Sequence, residues 1–260
     1  MGGRRIPETV LERDYCLAWF LSILPQTDLR SKLALKGGTA LKRCYFGDYR
    51  FSGDLDFTLW EATTLRQILR DLEPVYAGVR EESGIEFGFD REDRHAHDNS
   101  YTFYLRYTGP LPAGGAVKVD ITIRERLVFP LEDRPVLRGY EEFADLPEGR
   151  VVQAYSLNEI MSEKVVALVD RARNEPRDLY DLWYLILRGK TELASLAPAI
   201  SEKLAFRNMP AAGLREAILE KEARLKALWS VRLANQMAVL PPFEQVFREL
   251  RRALRQAELP

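Results

Sequence analysis

Residues 35–41 read LKGGTAL, and after a short gap residues 52–57 read SGDLDF. The first stretch places a Gly-Gly turn at the start of an apparent helix, and the second places two carboxylates, Asp54 and Asp56, on an apparent strand. A helix N-terminus presents unpaired N–H groups and a positive dipole end, and glycine lets that backbone approach a phosphate closely. The two stretches together predict a mixed α+β domain with a site for a metal-bound nucleotide.

The bulk composition is that of an ordinary globular protein. The chain has 260 residues, 46% hydrophobic and 30% charged, with a net charge of -1. This length can bury one large core or two modest ones, and the charge gives no global sign of a nucleic-acid partner. Two cysteines, Cys16 and Cys44, make no disulfide framework. Without a signal-peptide core or an apolar run of about 20 residues, we expect a cytoplasmic protein with no membrane association.

The hydrophobic period divides the chain in two. Helical spacing covers residues 9–24, 38–45 and 63–76, whereas strand-like patterns cover 55–59, 85–89, 101–107 and 116–123, with a loop over 91–100. Ser156 and Glu159 form a capping-box signature, after which the pattern predicts helices at about 156–172, 176–188, 192–206, 211–229 and 234–256. We therefore predict an α+β domain over 1–154 and a helical domain over 155–260.

Three carboxylates are candidates for metal binding. Asp54 and Asp56 are two apart, so on a strand they point to one face, and Mg²⁺ commonly binds such oxygens together with substrate phosphates. Asp120 lies on the alternating strand, and if that strand lies beside the first, the three could converge and hold two Mg²⁺ ions. The alternatives are a solvated polar edge for the pair and plain solvent exposure for Asp120.

The Gly-Gly turn supplies the candidate phosphate contacts. Gly37 and Gly38 offer backbone N–H groups, Lys36 a charge and Thr39 a hydroxyl. A tight turn that needs a positive φ explains the glycines equally well. The stretch is not a Walker A loop, because the spacing and the Gly-Lys-Ser/Thr ending are missing.

A late block carries further charged candidates. Lys164 lies in a predicted helix, and lysine commonly binds triphosphate as a point charge. Asp178 and Asp181 are three apart and share a helix face. Taken singly, each of them is explained as well by a surface ion pair.

Two other groups of residues have weaker claims. His95 and His97 lie in a polar stretch with no third ligand nearby, which argues against a zinc site. Arg248, Arg251, Arg252 and Arg255 make a basic stripe on the last predicted helix. A solvated face is its ordinary explanation, and contact with RNA or an acidic partner is the alternative.

Four blocks in order resemble one family. They are residues 36–41 (KGGTAL), 50–57 (RFSGDLDF), 118–121 (KVDI) and 163–182, which ends in RDLYDL. This order resembles the AbiEii/AbiGii toxin family of nucleotidyltransferases, within the DNA polymerase β-like superfamily. The resemblance implies a nucleotidyltransferase-fold mixed sheet with flanking helices, followed by a C-terminal helical bundle.

The resemblance also implies roles for the candidate residues. Asp54 and Asp56 would bind metal, Asp120 would be the third carboxylate and general base, and Gly37, Gly38 and Ser52 would line the triphosphate. Lys164 would contact phosphate, and Asp181 or Asp178 would complete the last acidic motif. The wider superfamily usually has Gly-Ser at the turn, where this chain has Gly-Gly-Thr, and Ser52 could supply the missing hydroxyl.

The implied activity is Mg²⁺-dependent transfer of a nucleotide from a nucleoside triphosphate to an acceptor hydroxyl. The resemblance points to the 3′ end of tRNA as acceptor and to a cognate antitoxin as partner, as in a toxin–antitoxin system. Within the same enzyme class, a protein or a small molecule is an alternative acceptor. A non-catalytic module that binds a nucleotide or a partner is the alternative from another class.

Overall fold

A computed structural model describes residues 6–94, 98–189, 191–257 and 259. His95 and His97 lie outside these described residues. The chain forms two compact units, one of residues 6–125 with 131–155 and the other of residues 126–130 with the chain from Ser156 onward. The predicted boundary at 154/155 is one residue from the division at Tyr155, and the excursion of 126–130 into the second unit has no signal in the hydrophobic pattern.

The first unit, here called the sheet unit, contains a seven-stranded sheet. Its order is β3-β4-β5-β2-β1-β7-β6. The strands are β1 (Leu33–Lys36), β2 (Leu55–Leu59), β3 (Glu86–Glu92), β4 (Ser100–Thr108), β5 (Gly115–Thr122), β6 (Leu131–Pro135) and β7 (Val151–Tyr155). Two neighbouring pairs, β2 with β5 and β1 with β7, are parallel, and the other pairs are antiparallel. The sheet is therefore mixed, as predicted.

Four helices belong to the sheet unit. They are α1 (Glu8–Ile23), α2 (Gly37–Ala40), α3 (Leu65–Asp71) and α4 (Glu73–Ser83), and α2 continues as a π-helical turn over Leu41–Tyr45. Helices α1 and α4 pack together, and Phe20 of α1 reaches Phe87 of the sheet with ring centroids 5.3 Å apart. Their apolar faces bury the core on one side of the sheet.

Three expectations for the sheet unit were wrong. The helix predicted over 63–76 is two helices, because Pro74 lies in the first turn of the second and cannot continue the hydrogen bonding of the first. Strand β3 extends into the predicted loop and carries a bulge between Phe89 and Arg91. Strands β6 and β7 were missed, since β6 has no alternation of buried and exposed residues for a pattern to reveal.

The second unit, here called the helical unit, contains six helices within its described residues. They are α5 (Leu157–Val169), α6 (Pro176–Arg188), α7 (Ala197–Phe206), α8 (Leu214–Leu219), α9 (Glu222–Leu233) and α10 (Phe243–Gln256). The helix predicted over 211–229 divides between α8 and α9, and the one predicted over 234–256 begins only at Phe243. Pro241 and Pro242 explain the late start, since proline favours the first turn of a helix over its interior. The arginine stripe lies on the exposed face of α10.

Only half of the predicted capping box forms at the start of α5. The Ser156 hydroxyl accepts a hydrogen bond from the Glu159 N–H at 3.2 Å. The fully buried Glu159 carboxylate instead binds Lys203 Nζ at 2.6 Å and accepts from the N–H groups of Val128 and Phe129. These bonds hold residues 126–130 in the helical unit.

Both cysteines are free and buried, as predicted, and burial raises the pKa of each thiol to about 12. Among the described residues, none of the helices is long and apolar enough to cross a membrane.

Candidate active site

The strands of Asp56 and Asp120, whose adjacency the sequence left open, are neighbours in the sheet. Strands β2 and β5 run parallel, and Asp56 lies directly opposite Asp120 in their register. Paired residues on neighbouring strands point to the same face at a strand spacing of about 4.8 Å. Two carboxylates from distant parts of the sequence therefore stand side by side on one face of the sheet.

Asp54 lies just before β2, in the turn that leads into the strand. The Thr39 hydroxyl donates to the Asp54 carbonyl oxygen at 2.5 Å, and Thr39 is almost fully buried. The Thr39 hydroxyl, which the sequence suggested as a phosphate ligand, thus links the Gly-Gly turn to the Asp-x-Asp motif. It fixes the backbone that carries the first carboxylate.

Gly37 is required by both conformation and space. Its φ is +69°, in the left-handed region, and a Cβ there would lie 2.8 Å from Asp56 Oδ2. The turn therefore needs glycine to adopt its backbone and also to let the Asp56 carboxylate approach it. This close approach places the start of α2 against the candidate metal ligand.

Gly38 makes room for two polar side chains. A Cβ on Gly38 would lie 2.8 Å from Arg50 Nη2 and 2.9 Å from Ser52 Oγ. Arg50 is 3% exposed and donates from Nη1 to the Phe51 carbonyl at 3.1 Å. Arg50 was not predicted to have a role, and its position two residues before the Ser-Gly-Asp stretch was the available signal.

Two lysines accompany the carboxylates on this face. Lys36 pairs with Asp56 across β1 and β2, and its Nζ donates to Thr122 Oγ1 at 2.8 Å. Lys118 Nζ lies 3.3 Å from Asp120 Oδ2, and the Asp120 side chain is 31% exposed. Solvent therefore reaches Asp120, and the positive charges of the two lysines partly offset the negative charges of the carboxylates.

The side chains at this site fit a divalent ion. Hard cations prefer carboxylate oxygens, and Asp56 and Asp120 stand side by side on adjacent strands. Within the described part of the chain, however, no group of three or more His, Cys, Asp or Glu side chains is arranged to hold a metal ion. The Lys118 ammonium lies where it competes for Asp120. The metal role of Asp54, Asp56 and Asp120 stays a prediction, with Lys118 as the group that a bound ion would displace.

The late block forms a separate cluster inside the helical unit. Lys164 Nζ lies 2.8 Å from Asp178 Oδ1 and 2.7 Å from Asp181 Oδ2, and Arg173 Nε lies 2.6 Å from Asp178 Oδ2. Both aspartates are almost completely buried. Burial by itself would raise the pKa of Asp178, but Lys164 and Arg173 outweigh it and lower that pKa. The lysine is thus fixed by two buried carboxylates, and a surface ion pair does not describe the cluster.

Comparison with known proteins identifies the class. A sheet that brings carboxylates together beside a glycine turn is an arrangement suited to phosphoryl-group transfer. The model of the family described as "Nucleotidyl transferase AbiEii toxin, Type IV TA system" matches residues 19–253. The chain belongs to this family and is a nucleotidyltransferase toxin of a type IV toxin–antitoxin system. A nucleoside triphosphate is the substrate, and a divalent metal is typical of the class.

Among solved structures, the chain is similar to MenT4, a nucleotidyltransferase toxin from Mycobacterium tuberculosis H37Rv. The TM-score is 0.66 at 20% sequence identity, over 95% of this chain and 84% of that one. At this identity the likeness concerns the fold, and it agrees with the predicted mixed sheet and flanking helices. No curated protein matches the sequence.

Proposed function

We propose that the protein transfers a nucleotide from a nucleoside triphosphate to the 3′ hydroxyl of RNA, the acceptor end of tRNA, in a reaction that depends on Mg²⁺. The observation that carries the proposal is the pairing of Asp56 with Asp120 beside Gly37. This pairing supports a centre for phosphoryl-group chemistry. The tRNA acceptor and the cognate antitoxin are supported by the family resemblance alone.

The proposed reaction is a displacement at the α-phosphorus. The acceptor oxygen forms a bond to that phosphorus, the bond to the pyrophosphate oxygen breaks, and the acceptor proton passes to Asp120 Oδ. Mg²⁺ held by Asp54, Asp56 and Asp120 would stabilise the developing charge and lower the pKa of the hydroxyl. Asp56 would therefore bind the metal ion, and Asp120 would receive the proton of the acceptor hydroxyl.

The Gly-Gly turn is the proposed cradle for the triphosphate. Gly37 and Gly38 would offer it backbone N–H groups, and the hydroxyl of Ser52 and the guanidinium of Arg50 lie against Gly38. Because arginine offers several N–H donors in a fixed fork, we assign Arg50 to a phosphate oxygen. Lys36 adds a second positive charge on the same face as Asp56.

The family resemblance alone gives Lys164 a part in this proposal. The family resemblance implies that Lys164 contacts phosphate, and Asp178 and Asp181 fix its ammonium group. We assign the two aspartates the task of positioning that group. Substituting either one should then weaken transfer through Lys164.

Labelled nucleoside triphosphates, Mg²⁺ and total tRNA test the proposal. Wild-type protein should label RNA, and Asp56→Asn, which keeps the shape of the side chain, should lose at least about a hundredfold in rate, as expected when a charge-stabilising group is removed. Asp133→Asn is the matched control, because Asp133 is an exposed aspartate on β6 that pairs with Arg30. Equal labelling by wild type and Asp56→Asn would contradict the mechanism, and labelling of protein alone would contradict the acceptor. Chelation of the metal should abolish labelling, and added Mg²⁺ should restore it.

A further inference from the structure

The face of the sheet that carries the candidate carboxylates continues outward across β5, β4 and β3. Asp120 lies opposite Thr102, Lys118 lies opposite Tyr104, and Tyr104 lies opposite Arg91. Residues directly paired across strands share one face. A row made of Lys118, Tyr104 and Arg91 therefore runs beside the row that contains Asp56 and Asp120, about 7 Å further along the strands.

The bulge in β3 is what turns Arg91 to this face. Phe89 pairs with the buried Leu105, and Arg91 pairs with Tyr104. Two residues of β3 therefore correspond to a single step along β4. In a regular strand, Arg91 would point with Phe89 toward the core, since positions two apart share a face. The extra residue, Asp90, re-aims the arginine, which is a recognised use of bulges beside active sites.

The resulting surface combines an aromatic ring with basic groups. The Arg91 guanidinium lies over the Tyr104 ring, 4.1 Å from its centroid, and the Tyr104 hydroxyl donates to Asp93 at 3.1 Å. Arg91, Asp93, Arg94 and Tyr104 line a recess of about 570 Å³. The hydroxyl bond fixes the ring, and the stacked guanidinium presents a flat cationic surface to solvent.

Arg106 extends the basic surface along β4. It lies opposite Gly88, and its guanidinium is 3.5 Å from the point where a Cβ of Gly88 would stand. Its Nη1 donates to the Phe89 carbonyl at 3.1 Å, which holds the exposed side chain across the sheet. Asp90 pairs with Arg91, Asp93 accepts from Tyr104, and Asp120 pairs with Lys118, so these three carboxylates offset part of the charge of Arg91, Arg94, Arg106 and Lys118.

We propose that this surface, here called the acceptor platform and defined by Arg91, Tyr104, Arg106 and Lys118, binds the single-stranded end of the RNA acceptor. A base stacks on the Arg91–Tyr104 pair, and Arg106 and Lys118 bind the flanking phosphates. Aromatic and arginine stacking with a basic groove is the chemistry that recognises single-stranded nucleic acid. The identity of the ligand rests on the proposed function, in which Asp120, on the same face, receives the proton of an RNA acceptor.

Binding of a fluorescent single-stranded RNA of about 12 nucleotides, a length within the usual site size, tests the platform by anisotropy. Arg91→Ala and Tyr104→Ala should each weaken binding about fivefold to a hundredfold, the effect of losing one stacked base. Arg106→Ala should reduce the slope of log affinity against log salt by about 0.7, the contribution of one single-strand phosphate contact. Wild-type affinity in both stacking variants would overturn the platform.

Two matched variants separate stacking from structural effects. Tyr104→Phe keeps the ring and removes only the bond to Asp93, so its RNA affinity should stay near that of wild type. Arg80→Ala removes an exposed arginine of α4, which pairs with Glu86, and should leave affinity unchanged. A loss in Arg80→Ala equal to that in Arg91→Ala would show unspecific charge attraction and would overturn the platform.

Transfer kinetics separate failure of the platform from failure of the proposed function. With an RNA acceptor, Tyr104→Ala should raise the KM for RNA and leave the KM for the nucleoside triphosphate unchanged. Transfer with an unchanged KM for RNA would overturn the platform and leave the proposed function standing. RNA binding that depends on Arg91 and Tyr104 without transfer to RNA would support the platform and overturn the proposed acceptor.

Discussion

The sheet unit and the helical unit each contain a group of aspartates, and the two groups are built differently. In the sheet unit, Asp120 is 31% exposed, lies opposite Asp56 and has Lys118 at 3.3 Å. In the helical unit, Asp178 and Asp181 are almost completely buried and share Lys164 at 2.8 and 2.7 Å. One group is open to solvent and faces another carboxylate, whereas the other is enclosed around a lysine.

This difference indicates different tasks. Carboxylates that stand side by side at an accessible face are stabilised by a cation from solution, so their charge is available to a ligand. Buried carboxylates bound to a lysine and an arginine have already received their counter-ions from the chain. The first arrangement suits binding and catalysis, and the second suits the fixing of a side chain.

The largest expected effect on stability is in the helical unit. Lys164→Met removes the ammonium that both buried aspartates bind, and breaking a buried pair in this way costs about 3–5 kcal/mol. Urea denaturation of the full chain should show this loss. Lys226→Met is the control, since Lys226 pairs with Glu244 on the surface, where an ion pair contributes little to stability. A loss as small as that of the control would mean that the buried cluster is not held by Lys164.

The pH dependence of the same cluster follows from the lowered pKa of Asp178. Its pKa is lower in the folded than in the unfolded chain, so its contribution is fully present above about pH 4 and is lost as pH falls below that value. Asp178→Asn should therefore lower the free energy of unfolding by about 2–3 kcal/mol at pH 7. The difference from wild type should shrink as pH falls below about 4 in urea titrations. A difference that does not change with pH would contradict this account.

In the sheet unit, a small change in shape should affect function more than stability. Gly37→Ala places a methyl group 2.8 Å from Asp56 Oδ2 at a positive φ, and Gly84→Ala meets the same backbone conformation with no atom within 4 Å. Both variants should lose about 1–2 kcal/mol of stability. Only Gly37→Ala should also lose at least about tenfold in the transfer rate, because it displaces the carboxylate of Asp56 that we propose binds metal. Equal rates in the two variants would contradict the role of the turn.

The smallest expected effect concerns the surface pair of the sheet unit. Lys118→Met removes a cation that competes with metal for Asp120, so the Mg²⁺ concentration for half-maximal transfer should fall, by about fivefold at most. Stability should change by less than about 1 kcal/mol. Titration of the transfer rate with Mg²⁺ measures the effect, and a higher Mg²⁺ requirement would contradict the competition.

The sequence predicted the local features that a period or a motif defines. The strand over Leu55–Leu59 and the helix over Pro176–Arg188 have the predicted bounds, and the strand of Asp120 lies beside the strand of Asp56. Side chains alternate between the two faces of a strand. The carboxylates therefore share one face when the two strands are neighbours. Membership of the nucleotidyltransferase family, predicted from four short blocks, was confirmed over residues 19–253.

The rest depends on contacts between distant residues. No local pattern shows that Glu159 binds the N–H groups of Val128 and Phe129, so residues 126–130 gave no sign that they join the helical unit. The bulge that turns Arg91 outward adds one residue to a strand without changing its composition. The partners of Lys164 lie one helix further along the chain, and periodicity within its own helix could not identify them.

The central claim is that Asp56 and Asp120, paired on adjacent strands, form one reaction centre. Single-turnover rates of transfer should be compared for Asp56→Asn, Asp120→Asn and the double variant, with Asp133→Asn as control. Because residues that act as a unit are not additive, each single variant should lose at least about a hundredfold, and the double variant little more than the worse of the two. A near-wild-type rate in either single variant, or losses that multiply in the double variant, would contradict the account.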